Sequence, residues 1–214
     1  MNATLFHKNQ KAIICIAFLA IFTLFSIFKT TMHSTDVTVN IWVTTIQNDT
    51  STLVAKAFST VFDTILLAIM SLIMAIFLFI KKHKAQSLLL LAAVGGNALI
   101  VGTIKTLTQV ARPENQLISG SGFSYPSGHS AGAIIFIGLI TYYVWLNWNN
   151  NVRVKILSST FFGLMIALVG FNRIYLNVHW LSDVIGGCLF GAFWLSFCIM
   201  ICEHLKLNSK FKNN

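Results

Sequence analysis

Long apolar runs joined by short polar stretches set the fold class of this chain. Six runs, near 12–29, 59–80, 86–105, 128–147, 154–172 and 179–202, are long enough to cross a bilayer as helices. None alternates apolar and polar positions as a strand would. Backbone facing lipid must satisfy its own hydrogen bonds, so helices are the physical choice. The expectation is an all-α polytopic membrane protein: one integral membrane domain, residues 1–214, built as a bundle of six transmembrane helices. The first run follows Lys8 and Lys11 as a secretory leader would. It passes into Lys29-Thr30-Thr31-Met32 without a small-residue cleavage site, however, and reads as an uncleaved span.

Positive charge orients the bundle. With the N-terminus in the cytoplasm, ten Lys and Arg fall inside: Lys8, Lys11, Lys81, Lys82, Lys84, Arg153, Lys155, Lys206, Lys210 and Lys212. Five fall outside: Lys29, Lys56, Lys105, Arg112 and Arg173. Both termini are then cytoplasmic, and 30–58, 106–127 and 173–178 are the outer connections. The first of these mixes apolar and polar residues around Ile41-Trp42-Val43 and is expected along the membrane surface. It contains Asn48-Asp49-Thr50, a glycosylation sequon that matters only in a eukaryotic secretory pathway.

Composition agrees. Of 214 residues, 56% are hydrophobic and only 10% charged, against about a quarter charged in soluble domains. A net charge of +9 would suit nucleic acid or an anionic membrane. The 15 Lys and Arg are scattered in small groups without a basic stripe, which sets nucleic acid aside and favours anionic lipid. Cys15, Cys188, Cys198 and Cys202 lie in or at the end of apolar runs without Cys-x-x-Cys spacing, and read as packing residues. There is no internal repeat or low-complexity tract.

The chemistry lies at the ends of the runs. Lys105 ends the third, His129 begins the fourth, Arg173 follows the fifth, His179 begins the sixth, and Asp183 sits one turn deeper. Span parity places all five at the same membrane face. Ionisable groups at membrane depth are costly and mark function or pairing. His179 and Asp183 are spaced i, i+4, on one helix face, so the carboxylate can fix the tautomer of the imidazole and leave its other nitrogen nucleophilic. Alone, such a pair is as well explained by a structural hydrogen bond; the cluster raises it.

Arg112 stands seven residues after Lys105, two turns on if the helix persists, but Pro113 disfavours helix there. In Tyr125-Pro126-Ser127-Gly128-His129, Ser127 is a plausible helix cap and Gly128 permits close approach to the backbone. A helix start of this kind favours anions. Fixed cations, open amides and two histidines together describe a receptor for a phosphoryl group in transfer.

These residues resemble the type 2 phosphatidic acid phosphatases, a family sharing its site with acid phosphatases and vanadium haloperoxidases. KTLTQVARP (105–113), PSGH (126–129) and NRIYLNVHWLSD (172–183) match its three motifs in order, and small six-span bacterial members look most similar. The third motif departs from the pattern at Asn172, where the family has Ser; Asn still donates and accepts hydrogen bonds, so tuning of the site is expected rather than its loss.

The resemblance implies that His179 attacks phosphorus to form a phosphohistidine, that Asp183 orients it, and that protonated His129 donates to the leaving oxygen. Lys105, Arg112, Arg173, Ser127 and the Gly128 amide would hold the phosphoryl oxygens. No cofactor is expected. No metal is expected either, because no compact carboxylate or Cys/His ligand set accompanies the histidines. His7, His33, His83 and His204 read as loop or interfacial residues. Phe123, Tyr125, Phe171, Tyr175 and Trp180 would flank an acyl or prenyl chain, although the ordinary interfacial aromatic belt is the favoured reading.

The expected activity is hydrolysis of a lipid phosphate or diphosphate at the outer face of the cell membrane. Phosphatidylglycerophosphate, phosphatidic acid and undecaprenyl diphosphate are the candidate substrates. A lipid-linked phosphotransferase using the same phosphohistidine, or a non-catalytic lipid binder or flippase, are the alternatives. Selectivity among lipids lies in the groove between spans rather than in the motifs, and no sequence feature speaks to oligomeric state.

Overall fold

Polar residues punctuate the apolar runs and decide where each helix starts. Asn48 accepts from the Ser51 amide, Asp63 from Ile65, Ser127 from Ser130 and Asn151 from Val154, each satisfying an otherwise orphan N–H. The computed structural model describes residues 3–148 and 151–212, with side chains from 9 to 148 and 151 to 205. The side chains of His7, Lys8, Lys206, Lys210 and Lys212 therefore lie outside the described residues.

The helices are α1 (Ala3–Phe28), α2 (His33–Ile46), α3 (Asp49–Val61), α4 (Thr64–Ile80), α5 (Lys84–Thr108), α6 (Gly128–Asn147), α7 (Val152–Tyr175) and α8 (Leu181–Lys212). A 3₁₀ turn, Lys29–Met32, joins α1 to α2. Five stretches are long and apolar enough to cross a membrane, and α3 with α4 makes a sixth if counted as one span bent by 40°. The all-α membrane bundle is thus the observed architecture.

One sequence expectation changes at the site end. The second span was expected from 59, but the chain breaks at Phe62-Asp63, where Asp63 caps a new helix. The connection 30–58 is largely two helices, α2 and α3. The stretch Asn9–Ile46 holds 38 residues, about 57 Å of helix if straight, against a hydrocarbon core of about 30 Å. Its far end, α2, packs on α7 and α8, and α3 packs on α7.

The bundle is built around α6, where Ala131, Ala133, Ile135 and Leu139 are fully buried against neighbours on α4, α5, α7 and α8. Its close approach to α8 depends on small residues four apart. A Cβ on Gly187 would lie 2.4 Å from the Ser127 carbonyl oxygen, and one on Gly191 would lie 3.0 Å from Ala131 Cα. At the opposite end of α8, Glu203 pairs with Lys11 and accepts from the Tyr142 hydroxyl at 3.0 Å. By contrast, Ile13, Ile16, Leu24 and Ile27 of α1 are 56–65% exposed, as a lipid-facing surface requires.

Candidate active site

Two cations order the segment between α5 and α6, and it orders them. The α5 helix ends at Thr108, and Gln109 caps it in the left-handed region (φ 49°), so Arg112 sits in irregular chain rather than two helical turns beyond Lys105. Lys105 Nζ donates to the carbonyls of Phe123 (2.5 Å) and Ser124 (3.0 Å). Arg112 donates from Nε to Gly122 (3.0 Å), from Nη1 to Val178 (2.6 Å), and from Nη2 to Ser121 (3.0 Å) and Phe123 (3.3 Å). A loop folded inward must satisfy its carbonyls, and here the cations do so.

His179 lies in the connection between α7 and α8 rather than on α8 itself, and is 3% exposed. Its Nδ1 is 3.4 Å from Asp183 Oδ2. The expected pairing therefore forms, but across a helix start instead of along a helix face. The same oxygen accepts from the Trp180 amide at 2.9 Å, the reciprocal half of a capping box. Trp180 has no side-chain oxygen to complete the cap. Asp36 of α2 supplies it, accepting from the Ser182 amide (2.8 Å) and hydroxyl (2.7 Å).

The tautomer of His179 follows from its other neighbour. Arg112 Nη1 is 3.3 Å from His179 Nε2, and a guanidinium can only donate. Nε2 therefore carries the lone pair, and the proton on Nδ1 faces Asp183. Burial pulls the pKa of His179 down to about 4, with Asp183 pulling the other way, so the ring is neutral at pH 7. Burial also lowers the pKa of Arg112, and Asp183 raises it; the guanidinium stays charged.

Arg173 belongs to the last turn of α7 and is 2% exposed. Its Nη2 donates to Asn172 Oδ1, while Nε has no partner among the described residues. Asn172 in turn donates from Nδ2 to the Ala55 carbonyl of α3 at 2.9 Å. The one departure from the family motif thus bonds Arg173 with one end of its amide and α3 with the other.

A cavity of about 520 Å³ joins these groups. Lys105, Arg112, Gly128, His129, Arg173 and His179 line its polar end, and Leu67, Val94, Val101, Ile135 and Phe136 its apolar depth between α4, α5 and α6. His129 makes no hydrogen bond within the described protein and faces this space. Ser127 and Asp183 stand behind the wall. The Ser127 oxygen accepts from the Ser130 amide (3.3 Å) and hydroxyl (2.9 Å), so it serves α6 rather than the cavity. Among the described residues, no three His, Cys, Asp or Glu side chains group closely enough to hold a metal ion.

The geometry therefore gathers six of the eight expected residues around one cavity, with the other two behind its wall. Residues 86–205, which hold all eight, match the PAP2 superfamily. The chain belongs to the PAP2 superfamily. Among similar PAP2 proteins is phosphatidylglycerophosphatase B of Bacillus subtilis (strain 168), 31% identical over 115 residues, 53% of this chain and 57% of that one. An undecaprenyl-diphosphatase of Sulfolobus acidocaldarius is 35% identical over 79 residues, 35% of this chain and 31% of its own. These matches thus span roughly half and a third of those relatives' lengths. In fold, the crystal structure of a transmembrane PAP2-type phosphatidylglycerolphosphate phosphatase from Bacillus subtilis superposes with TM-score 0.80 at 23% identity, covering 89% of this chain and 96% of that one. Aquifex aeolicus LpxE gives 0.57, also at 23%, covering 76% and 93%.

Asp36 and Asp63 escaped the motif reading. A signal for both was present: the chain has only six acidic residues, and these two carboxylates lie in mainly uncharged sequence near predicted span ends.

Proposed function

We propose that this PAP2 protein hydrolyses a lipid phosphate or diphosphate through a phosphohistidine on His179. The observation that carries the reading is the buried His179 ring, Nδ1 facing Asp183 and Nε2 facing Arg112, beside a cavity walled by Lys105, Arg112 and Arg173. The Nε2 lone pair forms the N–P bond as the bond from phosphorus to the lipid oxygen breaks, and the Nδ1 proton stays with Asp183 as the ring becomes cationic. His129 hands its proton to the leaving oxygen. That proton is tolerable among three cations only when the phosphoryl anion is also present. Water then attacks phosphorus, His129 takes back a proton, and phosphate leaves.

The three cations and the Gly128 amide neutralise the equatorial oxygens. Ser127 contributes by capping α6. The apolar depth of the cavity suits the hydrocarbon of a substrate drawn from the bilayer, with phosphatidylglycerophosphate, phosphatidic acid and undecaprenyl diphosphate the leading candidates. The distribution of Lys and Arg supports a site on the outer face with both termini in the cytoplasm.

Purified protein in detergent micelles, with a chelator present, is expected to release inorganic phosphate from at least one of these lipids. His179→Ala is expected to lower the rate by about 10³-fold or more. A wild-type rate in that variant overturns the mechanism.

A further inference from the structure

Partway down the cavity, Asn97 and Ser71 interrupt the apolar lining, and the Ser71 hydroxyl already donates to the Leu67 carbonyl at 2.7 Å. Asn97 of α5 is 9% exposed and faces the cavity among residues such as Leu67, Val101 and Ile135. Its Oδ1 is buried with no hydrogen-bond partner among the described residues. Gly132 of α6 lies opposite, where a Cβ would be 3.9 Å from Asn97 Nδ2. That is ordinary van der Waals contact, so α6 bounds this side of the amide without clashing with it. A buried amide without partners costs about 1–3 kcal/mol, and polar side chains within spans mark the paths of ligands. A leucine would fill this position at no such cost.

Depth identifies what the amide meets. Gly132 follows His129 by three residues, about 4.5 Å along the helix axis, so Asn97 lies roughly one turn below the group assigned to the leaving oxygen. In a glycerolipid, the glycerol carbons and ester carbonyls follow the phosphate over that distance. In a prenyl phosphate, only hydrocarbon does.

We propose that Asn97 is a specificity-determining residue that donates from its amide to an ester carbonyl of a glycerolipid phosphate, favouring such lipids over prenyl phosphates. The inference rests on the phosphatase reading above and names its substrate class.

The test compares dioleoyl phosphatidic acid, its dialkyl ether analogue and farnesyl phosphate. The ether keeps the phosphate, glycerol and chains and lacks only the carbonyls. In wild-type protein, kcat/KM for the ester is expected to exceed that for the ether, and Asn97→Leu is expected to reduce the ester-to-ether ratio by about tenfold. Asn97→Ala provides a second variant that adds no bulk. An unchanged ratio, or an equal loss on all three lipids, overturns the proposal in favour of a packing role. A second arm needs no turnover: thermal stabilisation of both proteins by the ester and ether lipids in micelles. Should wild-type protein release no phosphate from any lipid, the phosphatase reading fails. A preference for the ester in stabilisation that Asn97→Leu removes would still support the subsite, and the absence of that preference overturns it.

Discussion

Arg112 Nη1 lies 3.3 Å from His179 Nε2, so a permanent cation holds the lone pair assigned to attack phosphorus. The contact orients the imidazole while the site waits. In the proposed mechanism, a phosphoryl oxygen entering the cavity would compete for the same N–H and free the lone pair next to phosphorus. The guanidinium also ties together the carbonyls of Ser121, Gly122, Phe123 and Val178. Lysine keeps the charge but not the planar fork. Arg112→Lys is therefore expected to lower kcat/KM by about 10²-fold, with most of the loss in kcat. Steady-state kinetics on one lipid phosphate checks this, and a near-wild-type kcat would show that charge alone suffices.

The neutrality of His179 sets a pH dependence. Its pKa is held near 4 by burial, despite the opposing pull of Asp183, against about 6.5 when unfolded. Because the folded value is depressed, the unfolded chain binds more protons between these values. Stability from this residue is thus full above about pH 6.5 and declines as pH falls towards 4. Under the proposed mechanism, protonation removes the attacking lone pair over the same lower range, so the acid limb of kcat/KM is expected near pH 4 to 5. It is measured after correcting for the substrate's own phosphate ionisation. A limb centred near 6.5 would mean the ring is hydrated and freely protonated.

Asp36 links the α2 helix to the site, and its removal tests that link. It supplies two hydrogen bonds to Ser182 in the first turn of α8, one turn from His179. Asp36→Ala leaves the Ser182 amide and hydroxyl without that partner, at a cost of about 2–3 kcal/mol. The midpoint of chemical unfolding in micelles should fall accordingly. Because Asp183 stands in the same turn, kcat/KM should fall as well, and Asp36→Asn should recover part of both.

The extent to which the sequence foretold this site follows from the physics of each residue. Spans are legible because bilayer thickness demands long apolar runs, and α5 to α8 lie close to where those runs are. The helices α2 and α3 were not, because they bury little: Asp36 and Val43 in one, Ala55 and Ser59 in the other. They are held by polar contacts to distant residues, such as Asn40 to Asn177 at 3.1 Å and Gln47 to the Tyr175 carbonyl at 2.7 Å. No local pattern encodes such partners. Lys105, His129, Arg173 and His179 were legible as ionisable groups at span ends, and Arg112 from its spacing after Lys105 in KTLTQVARP. Ser127 and Asp183 were legible too, but which face of the wall each occupies depends on the way α6 meets α8. Asn97 carried no sequence signal of its own; only the cavity gives an amide in this apolar run something to do.

Gly187 provides the sharpest test of how α6 and α8 hold the site. A Cβ there would come within 2.4 Å of the Ser127 carbonyl oxygen and 3.1 Å of Ser130 Cβ. The first clash is with backbone, so no rotamer change relieves it; the start of α6 must move away from α8. That start carries Gly128 and His129, while α8 carries Asp183, whose carbonyl accepts the Ser127 amide at 2.9 Å. Gly187→Ala adds one methyl group in a helix, where alanine is otherwise favoured by about 1 kcal/mol. Propensity therefore predicts stabilisation and packing predicts damage. Packing should win, by about 1–3 kcal/mol for overpacking a filled interface, and kcat/KM should drop by at least tenfold as His129 shifts relative to His179. Gly163, which has open space around it, supplies the control: Gly163→Ala should be neutral or slightly stabilising in the same unfolding and kinetic measurements. Equal behaviour of the two variants would remove the close helix contact from the account of how the site is held.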